Sequence, residues 1–425
     1  MNYASNLSPQ KNARPISNGV NLKNFVVPTR HRRSAFDLKE ARVVAIIPTY
    51  KPERLTTKLV LDLTQWNPDI RVVVVDDCTP VDYTEGAAIF ARIRSVRDRI
   101  TVLRTPVNRM KAGALNYALE HIFALGDEDM PDVILSLDDD IVIAPSTVRN
   151  LVTELMSYDT LGAVCSQSRV LNKNKNLLTR LQGLEYVGFN ATRLADEGFY
   201  RGPLVMHGML TAFRVSALRE VGRFAEGHLI EDYEITTRLK TRGWSVKLAG
   251  SSPAWTMVPE TFSKLWRQRT RWSYGGITVI TKVTYLPSVL QDLIGHGVFF
   301  VTVIMIGLML VFRSTSTVPT HITDWIVGLS LLQLALWYAF QLWLMGLYRE
   351  RDRYDWIIRV SLLPEFIYTN ILTFIVLGSY LFLLFNMLTH AVTRQSGSVV
   401  RRLTALGAAL FAVCGYTKGW GTRTN

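Results

Sequence analysis

The feature that most constrains this chain is a change of character near residue 290, after which long apolar runs dominate. Ile294–Phe312 is mostly apolar, Ile326–Leu347 is a second such run, and Phe366–Leu388 is a third. At a rise of about 1.5 Å per residue, about 20 apolar residues cross a hydrocarbon core of about 30 Å. Trp325, Tyr338, Trp343 and Tyr348 lie in or beside the second run as candidate interfacial anchors. A buried helical bundle also contains apolar helices, but three successive runs of this length fit a membrane better. Leu403–Tyr416 is shorter and is expected to be a tilted span or a helix lying in the interface. Arg349, Arg351 and Arg353 fall between the second and third runs, whereas residues 314–324 carry no Lys or Arg. The positive-inside bias then puts the 349–353 loop, and the residues before the first span, on the cytosolic side.

Residues 1–290 read instead as a mixed globular sequence within a chain that is 48% hydrophobic overall. The formal charge is +13, which in a chain with apolar spans fits contact with anionic lipid. No basic–aromatic repeat or finger-like spacing points to nucleic acid. Cys78, Cys165 and Cys414 are odd in number and far apart. They give no disulfide framework or metal knuckle, and reduced thiols are expected. Residues 1–40 are polar and lack the apolar core of a signal peptide. A flexible tail is expected there, with Arg30, His31, Arg32 and Arg33 either solvated or touching headgroups.

Between these regions, short apolar runs alternate with helical spacing. Val43–Ile47, Arg71–Val75, Ile100–Leu103 and Val133–Leu137 read as buried strands. Residues 54–66, 86–98 and 112–125 read as helices between them. The alternation predicts an α/β fold, a parallel sheet with helices on both faces. Ligands of such sheets bind beyond the carboxyl ends of the strands. Asp76-Asp77 and Asp138-Asp139-Asp140 sit at two of those ends.

Three adjacent carboxylates repel one another, and a divalent cation relieves that repulsion. In an extended turn the first and third side chains share a face, so Asp138 and Asp140 form the natural ligand pair. For the triplet taken alone, a solvated turn with helix-capping Asp is the favoured reading. A carboxylate at Asp77 can accept hydrogen bonds from a ribose or a base, or can simply shape a turn. Glu231-Asp232 precedes a helical stretch; one of them can serve as a general base, or both can offset the helix dipole. Gln268, Arg271 and Trp272 share a helix face at i, i+3 and i+4. The Arg suits a diphosphate and the Trp offers a flat surface for a sugar ring; an interfacial amphipathic helix would show the same residues. Phosphate-loop, dinucleotide, nucleophile-elbow and zincin motifs are absent from the sequence.

The order of these pieces resembles the family 2 glycosyltransferases, and among them the processive synthases of hyaluronan, chitin, cellulose and poly-N-acetylglucosamine. The matching pieces are Ile47-Pro48-Thr49-Tyr50 with Glu53, Val75-Asp76-Asp77, Lys111-Ala-Gly-Ala-Leu-Asn116, Leu137-Asp138-Asp139-Asp140, Ile230-Glu231-Asp232, Gln268-x-x-Arg271-Trp272 and Gly419-Trp420-Gly421-Thr422-Arg423. The resemblance implies a GT-A (Rossmann-like) catalytic domain over 41–285, preceded by the 1–40 tail and followed by a membrane domain over 286–425. It implies that Tyr50, Glu53, Asp77 and Lys111 hold the uridine part of a UDP-sugar. Asp138 and Asp140 would bind the diphosphate through Mg²⁺ or Mn²⁺. Asp232, beside Glu231, would be the general base, and Gln268, Arg271 and Trp272 would contact diphosphate and acceptor. The implied reaction is an inverting displacement that extends a glycan by β-linkages, in a plasma or inner membrane with the catalytic domain cytosolic.

The alternative within the same chemistry is transfer of a single sugar to a polyprenyl phosphate, a lipid or a protein. Many such synthases carry membrane helices before the catalytic domain, and no comparable run precedes it here. A pore is then expected to need a homo-oligomer or a partner. A transporter or scaffold with a degenerate nucleotide-binding domain would not be expected to keep Asp138, Asp140, Asp232 and Arg271 together.

Overall fold

A computed structural model describes residues 41–96, 99–124, 126, 129–282, 285–293, 301, 304, 307, 320–393 and 398–416. The 1–40 tail, most of the Ile294–Phe312 run, residues 314–319 of the 314–324 loop and the Gly419–Arg423 motif lie outside the described residues.

The Val-rich segments form strands because each is buried on both faces. In β1 (Val43–Thr49), Val43, Ala45 and Ile47 point into one apolar layer and Val44 and Ile46 into the other. β2 (Arg71–Asp76) alternates likewise, with Val72 and Val74 opposite to Val73 and Val75. β3 (Ile100–Arg104) and β4 (Val133–Leu137) complete a parallel half-sheet with them. Helices α1 (Arg54–Trp66) and α2 (Thr84–Arg94) cover one face, and α3 (Met110–Phe123) covers the other. The expected bounds hold for α1, while α2 and α3 each start two residues early.

Beyond β4 the sheet departs from the all-parallel expectation. The strand order is β3-β2-β1-β4-β7-β6-β8-β5. β7 (Leu210–Arg214) runs antiparallel to β4, and β5 (Ile141–Ile143) antiparallel to β8 (Ser245–Thr256). β6 (Leu161–Val170) is parallel to β8. The reversal at β7 has a consequence for the site: the segment entering β7 arrives at the carboxyl end of β4, where Leu137 pairs Leu210. α4 (Thr147–Met156), α5 (Leu177–Ala195), α6 (Val215–Val221) and α7 (Glu231–Thr241) pack around this half.

α8 (Phe262–Ile280) carries the Gln268–Trp272 segment. It packs against a long apolar helix, α11 (Leu363–Thr393), which follows α9 (Thr320–Leu347) and the short α10 (Arg353–Ser361). Within α9 and α11, Asp324–Leu347 and Leu363–Thr389 are long and apolar enough to cross a membrane. α12 (Ser398–Val413) has an apolar stretch of ten residues, too short for a simple span.

The turn between α9 and α10 is tied to the sheet domain by charge. Arg169 and Trp255 both bond Glu350 at 2.8 Å, and Lys173 and Arg180 reach Asp355 at 2.9 and 3.0 Å. Asp355 is fully buried, so its two cations offset the cost of removing it from water.

Candidate active site

Three strands deliver their carboxyl ends side by side. In the register, Thr49 of β1 faces Asp76 of β2, and β4 lies on the other side of β1. The Asp77 N–H donates to Thr49 O at 2.8 Å. The two carboxylates at the end of β2 are held by the protein itself. Asp76 accepts from Thr79 N at 2.8 Å and pairs with Arg104. Asp77 Oδ1 accepts from Thr105 Oγ1 at 3.0 Å and from Arg109 N at 2.8 Å. Asp77 is thereby fixed and buried. Tyr50, directly after β1, is half-buried, with the Lys51 ammonium 5.6 Å from its ring. Glu53 is exposed and is the N-cap residue of α1, its N–H donating to Thr56 Oγ1 at 3.2 Å. Lys51, after β1, Cys78, after β2, and Met110, at the start of α3, adopt left-handed backbone, which non-glycine residues keep only where the surroundings impose it.

The three carboxylates after β4 have different partners. Asp139 accepts from Thr49 Oγ1, turning it away from its neighbours. Asp138 forms an ion pair with Lys111. The Asp140 carboxyl is pushed up to about 7, by desolvation and by the like charges of Asp138 and Asp139. Asp140 itself faces solvent. Among the described residues, no three carboxylate, imidazole or thiol side chains converge as a finished metal cage. Asp140, exposed, and Asp138, half-buried against Lys111, fit the partial ligand set that Mg²⁺ completes with substrate phosphates and water.

Lys111 is the hub. It begins α3 and reaches across to the antiparallel half, donating to Gly208 O at 2.8 Å and approaching Glu231 Oε1 at 3.3 Å. Burial works against its charge, but Asp138, Glu231 and Asp232 outweigh that and hold its pKa above the usual lysine value. Glu231 and Asp232 occupy the first turn of α7, where the helix dipole favours negative charge. Asp232 Oδ2 accepts from Gly208 N at 2.7 Å and Oδ1 from Tyr233 N at 2.8 Å. Desolvation, followed by the neighbouring Glu231 charge, raises Asp232 to about 6, with Lys111 opposing them. The carboxylate is therefore basic enough to take a proton near neutral pH. His207 is the neighbour that does not titrate there: burial lowers it to about 3, and its Nε2 meets Ser166 O.

Gly208 was not singled out by sequence, yet it sits where all these groups meet. A Cβ there would come within 2.6 Å of Lys111 Nζ and 3.3 Å of Asp232 Oδ2. Its neighbour Met209 gives its carbonyl to Asp138 N at 2.9 Å. The Asn116 of the Lys111–Asn116 motif proves to be a clamp, bonding Phe224 N and O at 3.0 and 2.8 Å.

On α8 the three expected side chains divide. Arg271 reaches Leu229 O at 3.3 Å, beside the start of α7. Gln268 accepts from Arg269 at 2.7 Å, and the Arg269 guanidinium lies 4.2 Å from the Trp272 ring centre. Trp272 packs against the cluster of Val170, Tyr186 and Val258.

Comparison with known proteins adds the following. The family model described as "Glycosyl transferase family group 2" matches residues 133–413, more than half of the chain. Poly-beta-1,6-N-acetyl-D-glucosamine synthase of Staphylococcus aureus (strain COL) is 28% identical over 175 residues, 41% of this chain and 40% of the relative. The same enzyme of Staphylococcus epidermidis is 28% identical over 176 residues, 41% of each chain. The match thus spans about two fifths of the length of these relatives. Among solved structures, the mannosyltransferase PcManGT from Pyrobaculum calidifontis, in complex with GDP-Man and Mn²⁺, aligns with a TM-score of 0.53 at 19% identity. That alignment covers 72% of this chain and 86% of the other, and the likeness is one of fold, the GT-A (Rossmann-like) type.

Proposed function

Because the chain belongs to glycosyl transferase family group 2, we propose that it is a membrane-embedded, inverting transferase that moves a sugar from a UDP-sugar onto a growing glycan through β-linkages. The observation that carries this reading is the Lys111 hub. At the strand ends it joins Asp138, one of the carboxylates suited to a metal–diphosphate, by way of Glu231 and Gly208 to Asp232, the carboxylate suited to a base.

In this scheme the uridine part lies against Tyr50, Glu53, Asp77 and Lys111. Asp138 and Asp140, with the donor's phosphates, hold Mg²⁺ or Mn²⁺, which when bound offsets the charge of the departing diphosphate. Asp232 takes the proton of the acceptor hydroxyl as that oxygen attacks the anomeric carbon. Glu231 and Lys111 tune Asp232, and the two backbone N–H groups orient it. Arg271 approaches the same helix start and supplies positive charge to the leaving group. Trp272 provides the stacking surface for the acceptor, with Gln268 beside it.

The 28% identity to poly-beta-1,6-N-acetyl-D-glucosamine synthases supports a polysaccharide product, and UDP-N-acetylglucosamine is the first donor to try. The two apolar helices support a membrane location, Arg349, Arg351 and Arg353 between them support a cytosolic catalytic domain, and a homo-oligomer or partner would complete any export path. Asp232→Asn tests the reading. Transfer should drop by about 10²–10⁴-fold, with UDP binding nearly unchanged. An Asn satisfies only one of the two backbone donors, so some loss of stability accompanies it, about 1 kcal/mol. A variant with full turnover removes Asp232 as the base. NMR of the product's anomeric proton checks the linkage, and an α-configuration contradicts inversion.

A further inference from the structure

Arg269, the second residue of the Gln268–Trp272 segment, is more deeply enclosed than any of its functional neighbours. Its side chain is 6% exposed. It pairs with Glu185 of α5 at 2.6 Å, bonds Gln268 Oε1 at 2.7 Å, and stacks over Trp272 at 4.2 Å. Glu185 Oε2 in turn accepts from the hydroxyl of Tyr368 at 2.6 Å. Tyr368 lies near the start of α11, the longer of the two apolar helices. Around them Leu181, Leu184, Leu265, Met345, Tyr348 and Ile358 close an apolar shell.

A buried ion pair in such a shell adds little net stability over well-packed apolar side chains. What it imposes is geometry. The planar guanidinium fixes the Trp272 ring on one face and the Gln268 amide on an edge, while Glu185 fixes the guanidinium. We infer that Arg269 is a positioning residue for the acceptor platform formed by Trp272 and Gln268, and that Glu185 and Tyr368 tie this platform to α11. The inference rests on the proposed acceptor role of Trp272. It gives α11 a direct mechanical connection to the site: a shift of the apolar helix moves Tyr368, Glu185, Arg269 and the platform in turn.

The test uses the full-length protein in lipid vesicles, with UDP-N-acetylglucosamine as donor and a β-1,6-linked N-acetylglucosamine trisaccharide as acceptor probe. The double variant Arg269→Met/Glu185→Met replaces the pair by apolar side chains of similar volume and preserves the fold. Expected is a rise of about tenfold in acceptor KM with kcat within about twofold. Tyr368→Phe should raise acceptor KM about threefold, and donor KM should stay unchanged in both. Trp272→Ala is the reference and should raise acceptor KM at least as much as the double variant. If Trp272→Ala raises acceptor KM while the double variant leaves it unchanged, or only lowers the active fraction, Arg269 is structural and the inference fails. If Trp272→Ala itself leaves acceptor KM unchanged, the acceptor role of Trp272 is what fails.

Discussion

Lys111 Nζ, at the start of α3, lies 3.3 Å from Glu231 Oε1 at the start of α7. This contact joins the parallel half of the sheet to the antiparallel half.

Lys111→Met should shift the acid limb of activity. Lys111 lowers the affinity of Asp232 for its proton, so its removal moves the limb upward by about one pH unit. Three carboxylates also lose a shared cation. The cost in stability is about 2 kcal/mol, less than for a fully buried pair because Lys111 keeps some solvent contact. A pH–rate profile and a thermal melt check both effects, and an unshifted limb contradicts the hub role.

The pH profile of the native protein carries its own signature. kcat/KM should rise as pH passes through about 6 and Asp232 loses its proton. Stability should move the opposite way. The folded state holds this proton more tightly than the unfolded chain, whose value is 3.8. The contribution of Asp232 to stability is therefore present below 3.8 and lost as pH rises through about 6. Asp232→Asn should flatten both slopes; a native profile with no inflection in this range contradicts the assignment.

Metal dependence should separate from base ionisation. With its carboxyl raised to about 7, Asp140 exchanges a proton for the metal. At limiting Mg²⁺ or Mn²⁺ the requirement for metal should climb below pH 7, and at saturating metal only the Asp232 inflection should remain. Asp140→Ala should weaken metal-dependent UDP binding by roughly tenfold or more. Titration of UDP by calorimetry with and without metal reads this directly, and unchanged metal dependence reassigns the ligand.

Gly208→Ala probes the crossing point. Its Cβ would fall 2.6 Å from Lys111 Nζ, and that ammonium is pinned by Asp138, Glu231 and the Gly208 carbonyl, so it has little room to retreat. Displacing the hub by about 1 Å should cost about 10²-fold in kcat. The backbone of Gly208 is not among the left-handed glycines, so the fold should survive, as circular dichroism would report. Full activity would show that the hub tolerates displacement.

The parts of this site that were legible in the sequence are those carried by single elements. Buried strands β2 and β4 end in acids, and a sequence displays both facts. Helical spacing likewise brought Gln268, Arg271 and Trp272 onto α8. The parts that were hidden depend on chain reversal and remote pairing. The 210–214 strand runs antiparallel and brings Gly208 to the Asp138 end of β4, a topology that an apolar five-residue run does not encode. Asp76 and Asp77 look equal in sequence, yet Arg104 and Thr79 hold the first while Thr105 and the Arg109 N–H hold the second. Arg269 looks like one more cation of a basic segment until Glu185 and Tyr368 are folded against it.

The most direct measurement is UDP release by membranes containing the protein, across a panel of UDP-sugars with Mg²⁺ or Mn²⁺, with the product sized on a gel. Expected is metal-dependent release with one UDP-sugar and a long product that Asp232→Asn fails to make. A product bearing one added sugar on a lipid or protein would contradict chain extension, and no release from any UDP-sugar by folded protein would contradict the UDP-sugar transferase itself.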